Sequence, residues 1–533
     1  MTAAPSRAWI IPGAVFLYAV LLFGWMHRQG GLSEPEGYYH ARVANLLPAH
    51  GLARTFEWTQ ASDWKDRWSD GDFLYHLLMA PFAQGAEPIR GALVLSTLLS
   101  AGVFLSFHLF LRGAGVPAAW LGTALLFCMG GPFLLRLSFV RPQILSVLCL
   151  IAALHFLVRK DWRALAAAGF LHSWSCGFPA APLACVLAFA AGRRLAGGGG
   201  EALPLWRDPG AFLAGGLLGL VLHPYTPLSL DPLRFGALSL ELSRGSASYS
   251  TLSFLMSYPL LNALLLLLGV AGWRAGRRAS GETLGLLAAA SAAYVMTLAF
   301  SRGVEYAAPL TAAALAFAWR DCLDADPVRA VRDWAARRNA SLWTGMAGLV
   351  LVLAGVHVHS LAYVLSMDSP NGPPRFREAA RWLAENLEPG ETVVNLWGDD
   401  FPDLFYDGHR QRYLTGIDPA ATLRWDPKAA MRLELMRAGR IPIDAAWLAE
   451  TFRARVMVLR AARARFYPQL APPAPGGAGG IGAALRGWRP VYIDEDAAVY
   501  ALAGSGGPPP ESQVLPTIPA LPGARPARQQ SGP

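Results

Sequence analysis

Charge is scarce in this chain. Only 16% of its 533 residues are Asp, Glu, Lys or Arg, while 53% are hydrophobic and mean hydropathy is +0.32. A soluble domain carries about 25% charged residues, so the deficit argues against an ordinary water-soluble fold and for a membrane protein. Cysteine is also rare. The five present (Cys128, Cys149, Cys176, Cys185 and Cys322) lie in or beside hydrophobic runs, and the polar C-terminal part has none. That rules out a disulfide framework or a Cys-type zinc site there. The chain lacks a Walker loop, a dinucleotide fingerprint and a His-Glu-x-x-His sequence. It also lacks the internal repeat expected of a transporter built from two halves. Basic residues outnumber acidic ones, 46 to 37, but most fall in short loops between hydrophobic runs, where they set membrane orientation rather than bind nucleic acid.

What the sequence does contain is a series of apolar runs at 8–26, 89–111, 117–135, 142–158, 164–175, 178–192, 210–223, 253–273, 283–300, 303–319 and 342–363. They predict a mainly α, polytopic membrane protein of about eleven transmembrane helices. The first run lacks a small-residue cleavage site, so it reads as an anchor rather than a signal peptide. Alternation from a cytoplasmic N-terminus places Arg112, Arg159-Lys160, Arg193-Arg194 and the basic residues of 274–278 and 320–338 all inside. The stretch 164–192, broken around 173–177, reads either as two passes or as one kinked helix. Three segments then face outward, the periplasm in a bacterium: the loop 27–72 with the short apolar stretch after it, 223–252, and everything after about 366.

The chain divides into a membrane domain, 1–365, with a structured first outer loop over 27–88, a periplasmic α/β domain, 366–503, and a tail, 504–533. In the outer domain, apolar spacing predicts helices over 376–387 and 429–437, and β-rich runs predict strands at 392–396, 455–459 and 490–493. The glycine-rich 476–482 reads as a flexible loop. The Gly, Pro, Ser and Gln content after 504 predicts a disordered tail.

The first outer loop carries the chemistry. It holds Glu34, Glu36, Glu57, Asp63, Asp66, Asp70 and Asp72, with six aromatic residues interleaved. Loops of this length without a role are uncommon. A carboxylate at Glu36, next to the headgroup plane, can take a proton as a general base. With Glu34 it can instead hold a divalent cation, Mg or Mn, that neutralises a leaving phosphate. The plainer reading has Glu34 capping a helix over 38–47, and Asp70 and Asp72 capping one that returns to the membrane.

Glu36-Gly37-Tyr38-Tyr39-His40-Ala41-Arg42, directly after a first membrane helix, resembles the first-loop motif of the GT-C glycosyltransferases. That superfamily includes oligosaccharyltransferases, protein O-mannosyltransferases and lipid A aminoarabinose transferases. The resemblance implies a many-helix membrane enzyme that takes a sugar from a polyprenyl phosphate or diphosphate carrier. The acceptor would be a glycan, lipid or protein, and nucleic acid is not an expected partner. The catalytic base or metal ligand would be Glu36, assisted by Glu34, with Tyr39, His40 and Arg42 of the motif at the substrate. Glu stands where oligosaccharyltransferases have Asp. Their Trp-Trp-Asp-Tyr-Gly motif is matched only loosely, by Trp397 and Asp399 in Trp397-Gly398-Asp399-Asp400, a polar-aromatic cluster able to bind a glycan.

Arg136 and Arg141 are expected at the outer membrane edge, against the positive-inside trend, where guanidinium forks either pair with phosphate oxygens or simply snorkel to the interface. Arg302 and Glu305, three residues apart at a helix end, belong to the same face, either as a site or as an ion pair. His172 and His223 read as structural. A flippase of lipid-linked substrate and a non-catalytic envelope scaffold are the rival readings. Catalysis requires Glu36, Arg136, Arg141 and Glu305 around one cavity that opens to both lipid and water, whereas a scaffold has no reason to converge them.

Overall fold

The computed structural model describes residues 9–28, 32, 34–195, 206–231, 233–235, 258–275, 279–322, 340–367, 375–461 and 487–502. Most of the second outer segment, the glycine-rich loop and the tail lie outside them.

A helix stands at each apolar run: Ile10–Met26, Pro88–Gly113, the pair Ala119–Phe127 and Gly131–Ser138, Gln143–Arg159, Trp162–Cys176, Ala180–Leu195, Arg207–Val221, Pro259–Ala275, Gly281–Ala299, Val304–Cys322 and Ala340–Met367. Among the described residues, Pro88–Gly113 and Gly281–Ala299 are long and apolar enough by themselves to cross a bilayer. The run 117–135 would be a third, but it is not a straight span. It bends by 85°, because Gly130 takes φ +114° and Pro132 opens the next helix. Among the described residues, length and apolarity thus pick out two or three spans, short of the eleven expected. The stretch 164–192 is two helices, parted where Gly177 (φ +68°) meets Pro179. Trp162–Cys176 then packs against Arg207–Val221 through small residues: a Cβ on Gly169 or Gly215 would strike the opposing carbonyl of Phe212 or Ala166.

The C-terminal domain carries a five-stranded sheet. Its strands are β1 (Thr392–Val394), β2 (Arg412–Tyr413), β3 (Val456–Arg460), β4 (Trp488–Ile493) and β5 (Ala497–Leu502), in the order β2-β1-β3-β5-β4. β1 runs parallel to β2 and β3, and β5 antiparallel to β3 and β4. Helices Arg377–Asn386 and Pro427–Arg437 and strands β1, β3 and β4 fall where the sequence places them. β2 is too short to leave a periodic signal, and the Ala-rich β5 leaves only a weak one.

The first outer loop is fastened to this domain. Trp58 O accepts from Tyr413 N at 2.7 Å, and Gln60 N and Ala61 N donate to Tyr413 O and Leu414 O, both at 2.8 Å, so the loop extends the sheet edge beyond β2. Tyr39, Phe56, Trp68 and Phe73 of the loop share one buried core with Phe401, Phe405 and Tyr413 of the domain.

Candidate functional site

The helix Glu36–His50 starts directly after Pro35 and places an acidic residue in its first turn, where the helix dipole favours negative charge. Glu34 does not cap it, since the cap position is Pro35 and no side-chain bond is made there. A Cβ on Gly37 would lie 2.9 Å from Val140 Cβ and 3.3 Å from Val140 O. Glycine therefore lets the helix start lie directly on the turn that carries Arg141. That turn is anchored by His27, whose Nε2 meets Ser138 O at 2.8 Å and whose Nδ1 meets Thr97 Oγ1 at 2.9 Å.

These contacts bring six of the sequence's candidates into one neighbourhood. Arg141 pairs through Nε with the Glu34 carboxylate and through Nη2 with Glu36 Oε2 at 3.0 Å. Arg302 Nη2 stands 3.8 Å from Glu36 Oε1. Arg136 Nε donates to Glu305 Oε1 at 2.6 Å, and Glu305 is near enough for its charge to act on Arg141. The Arg141 side chain is buried, whereas those of Glu36 and Arg302 are 34% and 52% exposed. One face of the cluster is therefore fixed and the other is open. Burial pushes the Glu34 carboxyl up to about 7, against the pull of Arg141 and with the Glu36 charge adding to the rise.

Asp72 is a further member of this group that the sequence reading treats as a helix cap. It does precede Phe73–Met79, but its side chain makes no capping bond, and its carboxylate has no hydrogen bond or ion pair among the described residues. Burial pushes it up to about 7, opposed by His76 and reinforced by Asp70 and Glu36, with Arg302 also close enough to act. The available signal was the Asp-Gly-Asp spacing itself. Asp70 does local work instead: its Oδ1 accepts from Asp72 N at 3.1 Å, and its Oδ2 meets His76 Nδ1 at 2.7 Å. His76 Nε2 in turn meets His40 Nδ1 at 2.8 Å. Burial works against charge on His76, but Asp70 outweighs it and raises the imidazole. His40 is lowered by burial, then by His76, Arg141 and Arg302.

The other motif residues are committed to packing. Tyr39 lies among Phe56, Phe401 and Phe405. Arg42 donates to Tyr406 O at 2.7 Å and to Asn45 Oδ1 at 2.9 Å, tying loop to domain instead of reaching substrate. His40 belongs to the buried Asp-His-His chain. Trp397 is 8% exposed, packed with Leu396, Leu414 and Leu433, so no ring face is presented to a glycan. Asp399 is exposed beside it on the turn Gly398–Asp400. Glu34 and Glu36 both engage arginine, and among the described residues no three His, Cys, Asp or Glu gather in a metal-binding group.

No family model matches the sequence, nor does any curated protein. Solved structures do match. The apo oligosaccharyltransferase of Archaeoglobus fulgidus superposes with TM-score 0.60 over 92% of this chain and 74% of its own, at 14% identity. Apo ArnT from Cupriavidus metallidurans superposes with TM-score 0.54 over 95% of this chain and 100% of its own, at 15% identity. Both are GT-C glycosyltransferases, and the chain has a GT-C-like fold.

Proposed function

We propose that this protein is a membrane glycosyltransferase that moves a sugar from a polyprenyl phosphate or diphosphate carrier to an acceptor at the outer face of the bacterial inner membrane, with its N-terminus cytoplasmic and its C-terminal domain periplasmic. The observation that carries the reading is the half-open cluster in which Glu36 lies between buried Arg141 and exposed Arg302. A fold can host several chemistries, so the reading rests on this cluster and not on the architecture alone.

Arg302 holds Glu36 only loosely and is free to turn to the donor phosphate, with Arg136 and Arg141 behind it. Glu36 Oε1 is then released to take the proton from the acceptor hydroxyl or amine. The acceptor atom bonds to the anomeric carbon as the bond from that carbon to the phosphate oxygen breaks. The electron pair leaves with the phosphate, where fixed guanidinium charge stabilises it in a poorly solvated setting. Glu34 keeps Arg141 in place. The test is transfer from a labelled polyprenyl-linked sugar by purified protein, wild type against Glu36→Ala. Loss of transfer supports the assignment, and equal activity ends it.

A flippase would place paired charges deep within its helices. Here the charged pairs Arg136–Glu305 and Arg141–Glu36 involve helix ends and the turn between helices, which favours the transferase.

A further inference from the structure

A cavity of about 240 Å³ opens between the first outer loop, the segment after helix Arg207–Val221, and the outer domain. Its walls carry the residues of two ion-paired groups. Arg424 of the domain donates to Asp63 through both Nε, at 2.7 Å, and Nη2, at 3.2 Å, and approaches Asp418 at 3.5 Å. Arg67 stands 3.7 Å from Asp231. These lining groups amount to three carboxylates against two guanidiniums, a balance that repels a phosphate and leaves hydrogen-bonding oxygens for neutral hydroxyls.

His223 adds an independent sign of a ligand. Its side chain is buried, 4% exposed, and lines the same cavity. Nδ1 accepts from Tyr225 N at 3.3 Å, which leaves the ring proton on Nε2, and Nε2 is buried without any partner among the described residues. A buried donor left unpaired is costly, and a ligand oxygen at this position would relieve that cost. Trp64 and Phe235 supply aromatic surface in the same walls.

The cavity is also next to the carboxylate cluster. Ser69 and Gly71 line it, while Asp72, the next residue, responds to the charges of Glu36 and Arg302. Along the chain, then, Asp72 follows directly on two residues of the cavity wall.

We propose that this cavity is a saccharide acceptor site that takes one uncharged sugar ring and presents its hydroxyl to the Glu36 cluster; the acceptor role, though not the sugar binding, rests on the transferase reading. The volume is on the scale of a single ring, the lining carboxylates and the His223 donor match hydroxyl groups, and the charge balance turns away the phosphate end of the carrier.

The experiment uses the full chain in detergent with methyl glucoside, methyl galactoside, methyl mannoside and inorganic phosphate as separate probes, read by saturation-transfer NMR. A signal for at least one glycoside and none for phosphate is expected, with affinity falling about tenfold in Asp63→Asn, the effect of one lost charge-assisted hydrogen bond. Because Asp63 bridges loop and domain, Asp231→Asn is the companion variant. Its pair with Arg67 is long, 3.7 Å, with the arginine exposed, and contributes little to folding, so its loss of glycoside signal at an unchanged melting temperature supports the site. Absence of signal from every glycoside at about 10 mM, where even millimolar binding is visible, overturns it, as does displacement of the glycoside by phosphate. In transfer assays, a raised acceptor KM with unchanged donor KM supports the acceptor role, whereas raised donor KM assigns the cavity to the donor sugar and overturns it. Glycoside binding without transfer from any polyprenyl-linked donor sinks the transferase reading while leaving the cavity a sugar site.

Discussion

Replacing Glu36 by Gln keeps the shape of the side chain and removes its charge and its capacity to accept a proton. Two consequences separate cleanly. For folding, the contact with Arg302 is long, 3.8 Å, and exposed on both sides, and such pairs contribute at most about 1 kcal/mol. The buried partner of Glu36, Arg141, keeps its second carboxylate, Glu34, and the amide oxygen of Gln can still accept from it. Stability is therefore expected to fall by no more than about 1 kcal/mol. For catalysis, loss of a positioned general base lowers the rate by about 10²–10⁴, equivalent to about 3–5 kcal/mol of barrier at 1.36 kcal/mol per tenfold. The assay is release of labelled sugar from a polyprenyl-linked donor, in membranes that supply the acceptor, with melting temperature measured in parallel. A rate within about threefold of wild type, far short of the expected loss, would refute the reasoning. So would a loss of rate that merely follows a loss of fold.

Gly37→Ala places a methyl against Val140 and should displace the start of the helix from Arg141. Overpacking of this kind costs about 1–3 kcal/mol, seen as a lower melting temperature together with lost transfer; full activity would deny the close approach its role. Asp72 and Glu34, both raised to about 7, should together give wild-type transfer a limb that climbs with pH through that value, and Asp72→Asn should shrink the limb while Glu34 keeps the remainder. The sign for stability is opposite. A carboxyl raised in the folded state contributes stability fully present below the ordinary carboxylate range and lost as pH rises through about 7, so the wild type should lose more melting temperature than Asp72→Asn between pH 5 and pH 8. Arg42→Met leaves the Tyr406 carbonyl without its charged donor and removes a guanidinium 4.9 Å from the Tyr406 ring. It should cost about 1–3 kcal/mol and speed proteolysis between loop and domain, with little change in donor KM.

The positions of the helices were legible in the amino-acid sequence because each apolar run is a local signal, and the low charge of the chain allowed no soluble alternative. Glu34, Glu36, Arg141 and Arg302 were singled out for the same kind of reason: charged groups at the ends of apolar runs stand out against their surroundings. Tertiary structure alone decided which of them meet. Glu36 and Arg141 are far apart in sequence and touch only because Gly37 lets a helix start lie on the Ser138–Arg141 turn, a turn reached after an 85° bend at Gly130 and Pro132. Tyr39, Arg42 and Trp397 looked like substrate contacts because aromatic and basic residues near a membrane face carry the same pattern whether they bind a ligand or pack a core. Their burial was settled by the docking of the outer domain onto the loop, a contact between segments some 360 residues apart. Asp72 was misread for the complementary reason. Sequence shows an acidic residue before a helix, but only the packed structure shows that its side chain makes no capping bond and lies within reach of the charges of Glu36 and Arg302.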